Sequence, residues 1–205
     1  MASRRAKARK PALKPRKSPV QERAQATVDA ILQASTYILK KDGYAYLTTN
    51  RIAEKAGVNI ASLYQYFPNK EAIFVELLRR HAEAGRRMST QVLEGKWSSK
   101  AKVEQIIAGT IAAHAVDPEL HRIFTVEGAR LGLKRAETDA DAKLVEQSEQ
   151  WVKTTRRKNA KLALWIADTA VHAVVHAAFA EHPEYARSPE LAGELSQLVL
   201  RYLRR

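Results

Sequence analysis

The sequence predicts an all-α protein: an N-terminal three-helix helix-turn-helix domain, then a larger helical domain. Three observations carry the fold class. Apolar residues recur at helical spacing over most of the 205 residues, and no stretch alternates apolar and polar as a half-buried strand does. The few Gly and Pro residues fall mainly between the periodic segments, where helices stop and start.

Residues 1–18 have no apolar period, and their composition predicts a disordered basic tail. Arg4, Arg5, Lys7, Arg9, Lys10, Lys14, Arg16 and Lys17 supply eight of the thirteen net positive charges, without one acid among them. Two readings stand for this tail: an arm that tracks DNA phosphates, or a segment that aids solubility. Ser18-Pro19 then marks a helix start, and Val28, Ile31, Leu32, Ile38 and Leu39 keep the period to about Lys41. Asp42-Gly43 stops that helix.

Residues 47–70, LTTNRIAEKAGVNIASLYQYFPNK, read as two short helices at an angle. Thr48 or Thr49 caps the first, and Ile52, Ala53 and Ala56 form its packed face. Gly57 ends it in a left-handed turn, and Asn59 caps a second helix from about Ile60 to Tyr66. Small Ala53 and Ala56 allow a close crossing. This is a helix-turn-helix, whose second helix can enter the DNA major groove. Asn69 caps a fourth helix through Ile73, Phe74, Leu77 and Leu78.

Beyond Gly95, Ser98 or Ser99 caps a helix with Val103, Ile106, Ile107 and Ile111, and Asp117-Pro118 opens another. A charged stretch over 134–158 is expected to hold one or two more. Residues 160–181 form an Ala-rich helix that is apolar on most sides, ended by His182-Pro183. Ser188-Pro189 starts a last helix with Leu191, Leu195, Leu198, Val199 and Tyr202 on one stripe. The domain boundaries expected are 19–68 for DNA binding and 69–205 for the rest.

The run LYQYFPNKEA (63–72), with ILQAS (31–35), the Gly43 turn and IAEKAGVN (52–59), resembles the tetracycline-repressor (TetR) family over about residues 27–80. The resemblance implies a homodimer through the last two long helices, a small-molecule effector site in the second domain, and repression relieved by that effector. It assigns DNA-backbone contacts to Thr49, Tyr64, Tyr66 and Lys70, and places Asn50, Ile60, Ala61 and Ser62 nearest the bases; Thr48 completes the DNA-facing set. Ile60 and Ala61 stand where the family often has polar residues or glycine, which leaves the operator sequence open. An activator, or a DNA-organising protein without an effector, would share these features.

Chemistry beyond DNA binding is sparse. There is no cysteine, so disulfides and thiolate sites are excluded. No Gly-rich phosphate loop, GxSxG or paired carboxylates suggest an enzyme, and no cofactor is expected. Trp97, Phe124, Trp151 and Trp165 are candidates to line the effector cavity. Ala173, His176, Leu195 and Leu198 are candidates for the dimer interface. Asp168, His172 and His176 share one helical face at a spacing that suits a metal ion, but a helix–helix interface suits it better, and no metal is expected. No signal peptide or membrane span is read from the chain, and the cytoplasm is the expected compartment.

Overall fold

The computed structural model describes residues 22–133, 139–155 and 157–204. The basic tail, the Ser18-Pro19 helix start and residues 134–138 lie outside the described residues. Every regular element among the described residues is helical. The chain divides into two compact units, Met1–Arg80 and His81–Arg205. Helix α4 (Lys70–Glu94) contributes its first turns to one and its remainder to the other.

In the first unit, α1 (Glu22–Asp42) gives way at Gly43 to one turn of 3-10 helix, Tyr44–Tyr46. The sequence reading has only the Gly43 stop there, because three residues are too few to show a period. Arg51 ties this turn down: it donates to the Tyr46 carbonyl at 3.2 Å and pairs with the Asp42 carboxylate at 2.5 Å. Helices α2 (Thr49–Ala56) and α3 (Ile60–Tyr66) follow. Ile31, Leu39, Leu47, Ile52, Leu63, Phe67, Ile73 and Phe74 are fully buried, so α1 to α4 all contribute to one small core. Tyr44 closes it with its ring edge-on to Phe74, 5.1 Å between centroids.

A charged network links α1 to the first turns of α4. Arg80 reaches Asp29 at 2.6 Å and Glu76 at 3.0 Å, and Glu76 also accepts two hydrogen bonds from Arg79. Burial raises the Glu76 carboxyl, but the arginine hydrogen bonds outweigh it and hold the group below its ordinary 4.5. The Arg80 hydrogen bond holds Asp29 below 3.8.

The second unit packs α5 (Ser99–Val116), α6 (Pro118–Arg130), α7 (Asp139–Lys153), α8 (Ala160–Glu181) and α10 (Glu190–Leu203), with a single turn, α9 (Pro183–Ala186), between the last two. Caps set the starts. Ser98, Asp117 and Asn159 accept from the backbone N–H groups of Ala101, Leu120 and Leu162. Val103 and Ile107 of α5, Val152 of α7, Val171 and Val175 of α8, and Leu195, Val199 and Leu203 of α10 form the core. Ala160, Ala163 and Ala178 lie buried on α8, where small side chains allow close helix approach. Helix α8 is long and apolar enough to cross a membrane by length and composition, yet it carries Asp168, His172 and His176.

Two outcomes follow for the first unit. Gly57 has φ +65°, and nothing lies within 4 Å of where a Cβ would stand. Gly57→Ala therefore costs only left-handed backbone strain, about 1 kcal/mol by denaturant titration. Glu76→Gln should cost about 1–2 kcal/mol at pH 7, as expected for hydrogen bonds to a charged group that is mostly enclosed. The carboxyls of Glu76 and Asp29 have lowered folded-state pKa values, so their contribution is complete above 4.5 and fades as pH falls below it. The melting-temperature gap between wild type and variant should narrow over that acid range; a constant gap would contradict this account.

Candidate nucleic-acid interface

The helix-turn-helix is built from local signals. The Thr48 hydroxyl caps α2 by accepting from Arg51 N–H at 3.3 Å. Gly57 ends α2 left-handed, and Val58 N–H returns to the Ala53 carbonyl at 3.0 Å, which satisfies a carbonyl the helix leaves open. Asn59 Oδ1 then accepts from Ala61 N–H at 2.8 Å and starts α3. Buried Leu63 and Phe67 anchor α3 from below. This fixes which face of the helix remains outside.

That outer face carries much of the expected set. Thr48, Asn50, Ala61 and Tyr64 are exposed, and Thr49, Ile60, Ser62, Tyr66 and Lys70 are partly exposed. Tyr64 keeps 38% of its surface. Its hydroxyl lies 3.0 Å from the Thr49 hydroxyl, which joins the start of α2 to the middle of α3. Lys70 stands 4.5 Å from the Tyr44 ring centroid, a cation–π contact at the start of α4. The helix dipole opposes a cation at that end, so the aromatic face offsets part of the cost.

Chemically this surface can do two things. Ile60 and Ala61 can pack on a thymine methyl, and the Asn50 amide can pair with the edge of adenine. The hydroxyls of Thr49, Ser62 and Tyr64 and the Lys70 ammonium can contact phosphate oxygens. Exposed Gln65 was missing from the sequence-derived set. Its signal was available, since a helix that shows Ala61 also shows the residue four further on. Lys55 stands 3.9 Å over the Tyr37 ring, a contact that packing of α2 on α1 brings together.

The other candidates scatter. Trp97 and Trp165 stand on the surface, Trp151 is partly buried against the core of the second unit, and Phe124 is buried beside His81. A cavity of about 180 Å³ in that unit is lined by Arg157, Lys158, Asn159, Leu162, Ala163 and Tyr202, none of them among the four aromatics. Leu195 is 4% exposed and committed to its own chain's core, whereas Leu198 is 51% exposed and Ala173 is exposed. His172 lies beside Asp168, with its Nδ1 2.9 Å from the Asp168 carbonyl oxygen, while His176 turns toward His114 and His121.

A two-helix reading head anchored in a three-helix core, followed by a separate helical unit, defines a helix-turn-helix DNA-binding regulator. The family model for bacterial regulatory proteins of the tetR family matches residues 31–77, and the model for the tetracyclin repressor-like C-terminal domain matches residues 100–203. The chain belongs to the tetR family and is a transcription regulator. Among curated proteins, the nucleoid occlusion factor SlmA of Aliivibrio fischeri (strain MJ11) is 32% identical over 98 residues, 47% of this chain and 50% of that protein. The chain thus spans about half the length of the curated relatives it matches. Two solved structures described as tetR-family regulators share the fold. The one from Shewanella sp. PV-4 has TM-score 0.69 and 17% identity over 85% of this chain and 96% of that one. The one from Streptomyces coelicolor has TM-score 0.60 and 20% identity over 86% and 97%.

The Thr49–Tyr64 pair yields a double-mutant test. Tyr64→Phe and Thr49→Val should each weaken DNA binding about fivefold, the equivalent of one ordinary hydrogen bond, with melting nearly unchanged. The double variant should lose clearly less than the product of the two, because each hydroxyl positions the other. Gel-shift titration decides; unchanged affinity in both single variants would remove the pair from the interface.

Proposed function

We propose that the chain is a homodimeric cytoplasmic repressor whose α3 reads an operator and which lets go when an effector binds its second domain. In this reading residues 19–68 bind DNA, residues 69–205 bind the effector and the partner copy, and no catalysis is involved. The observation that carries the DNA half is the orientation of α3. Leu63 and Phe67 hold it down while Ala61, Ser62, Tyr64 and Gln65 keep solvent-exposed surface.

The dimer reading is supported by surplus apolar surface. Only 22% of the apolar window of α8 is buried within one chain, and Leu162, Trp165 and Val174 of α8 and Leu198 of α10 are exposed. A helix apolar on most sides needs more than one neighbour, and two-fold pairing is the commonest solution. A dimer would set two α3 helices against half-sites about 34–36 Å apart.

A second reading, a DNA-organising protein without an effector, is favoured by the likeness to nucleoid occlusion factors and by the basic first 20 residues. Selection of bound DNA from a random pool separates the two. The repressor reading expects an inverted repeat near the gene it controls and loss of binding on addition of an effector. Sites scattered without relation to promoters, with binding that no effector relieves, would favour the DNA-organising reading. Sedimentation tests the assembly: the wild type should be a dimer at micromolar concentration and Leu198→Arg a monomer. A monomeric wild type would reject the dimer.

A further inference from the structure

Five of the chain's six histidines meet inside the second unit. They come from four helices: His81 from α4, His114 from α5, His121 from α6, and His172 and His176 from α8. The His114 ring lies 3.6 Å from that of His121, 4.8 Å from that of His176 and 5.7 Å from that of His172, centroid to centroid. One ring nitrogen from each of His114, His121 and His176 lies within 4.8 Å of the other two.

The hydrogen bonds orient this group as ligands are oriented. His114 is 3% exposed, and its Nδ1 donates to the Thr110 carbonyl at 2.7 Å. That assignment leaves the lone pair on Nε2, which is enclosed and has no hydrogen-bond partner. An unmet buried acceptor is costly, and a fold keeps one at a price in stability unless something fills the role. His121 Nδ1 and His81 Nε2 are 2.7 Å apart. If His121 is the donor, its own Nε2 is free to bind and His81 becomes the outer partner that fixes the ring. Burial lowers the pKa of both His114 and His121, and neutral imidazole is the form that ligates metals.

We propose that His114, His121 and His176 form a binding site for a divalent transition-metal ion of the zinc class, and that this ion is the effector. Three imidazoles without a thiolate or carboxylate among them suit Zn2+, Co2+, Ni2+ or Cu2+, and do not suit Mg2+ or Ca2+, which take oxygen ligands. Three protein ligands leave a fourth position for water. Metal–nitrogen bonds of about 2.0–2.1 Å hold tetrahedral nitrogens about 3.3 Å apart. The site must therefore close from its present spacing, through rotation of the half-buried His121 and His176 side chains. Closure fixes the proton of His121 toward His81 on α4, and α4 continues into the unit that carries α3. The effector half rests on the regulator reading above; the site itself does not.

The test uses the full chain without a histidine tag, stripped of metal and titrated with Co2+ and with Zn2+. About one ion per chain is expected, with the visible absorption of tetrahedral Co2+, and no competition from Mg2+. His121→Gln and His176→Gln, at half-buried positions, should keep the wild-type circular dichroism and lose at least about 100-fold in affinity, since even outer partners of a site are worth 10–100-fold. His182→Gln, the sixth histidine, should bind as wild type. No stoichiometric uptake by the folded chain, or uptake that neither variant weakens, overturns the site. Zn2+ should also change affinity for the selected DNA by about 5–150-fold in the wild type but not in His176→Gln. Stoichiometric uptake with unchanged DNA affinity overturns the effector half alone. A metal-free chain that selects no DNA sequence refutes the effector-released repressor reading and leaves the metal titration to decide the site.

Discussion

The DNA-facing surface depends on one backbone constraint, the left-handed turn at Gly57. It stops α2 after eight residues and releases the chain so that Asn59 can cap α3 two residues later. A side chain at that position would strain the turn although the space is open. From there the geometry is forced. Leu63 and Phe67 are fully buried, so Ala61, Tyr64 and Gln65 on the opposite side of the helix face outward. Two side-chain anchors and one glycine therefore determine which residues of α3 remain exposed.

Much of this was legible in the sequence because it is local. Thr48, Asn59, Asn69, Ser98 and Asp117 each act on a backbone N–H two or three residues away, and short-range pairs of that kind leave a readable spacing. The elements that escaped notice are short or distant. The turns at Tyr44–Tyr46 and Pro183–Ala186 are too brief for a period to appear. The histidine cluster joins residues from four helices. Only His172 and His176 are close enough in sequence for their spacing to point to it, and it suggested Asp168 as their companion. His114 and His121 flank the Asp117-Pro118 break, so no single helical period relates them.

Helix α8 shows why composition alone misleads. Its residues are apolar enough for a membrane, yet they divide among three different surroundings. Ala163, Val171, Val175 and Ala178 fill the core of the second unit. His176 reaches the polar group on α5 and α6. Leu162, Trp165 and Val174 remain outside. A lipid-facing helix has no use for the middle of these, because an ionisable side chain in hydrocarbon is costly unless paired within the protein.

A helix of 25 residues is a stiff element, and α4 belongs to both units. Its first turns are not free to move against the rest of the first unit. Ala72, Ile73 and Phe74 are fully buried there, and Arg80 ties α4 to α1 through Asp29 at 2.6 Å. Tyr44 packs on Phe74, and Arg51 of α2 holds the adjoining turn. The contacts run from α4 through α1 and the 3-10 turn to α2, and from α2 to α3 through the Thr49–Tyr64 pair and a shared core. The first turns of α4 and the whole of α3 therefore share one packed core. The internal geometry of the motif is thus set by contacts within the first unit.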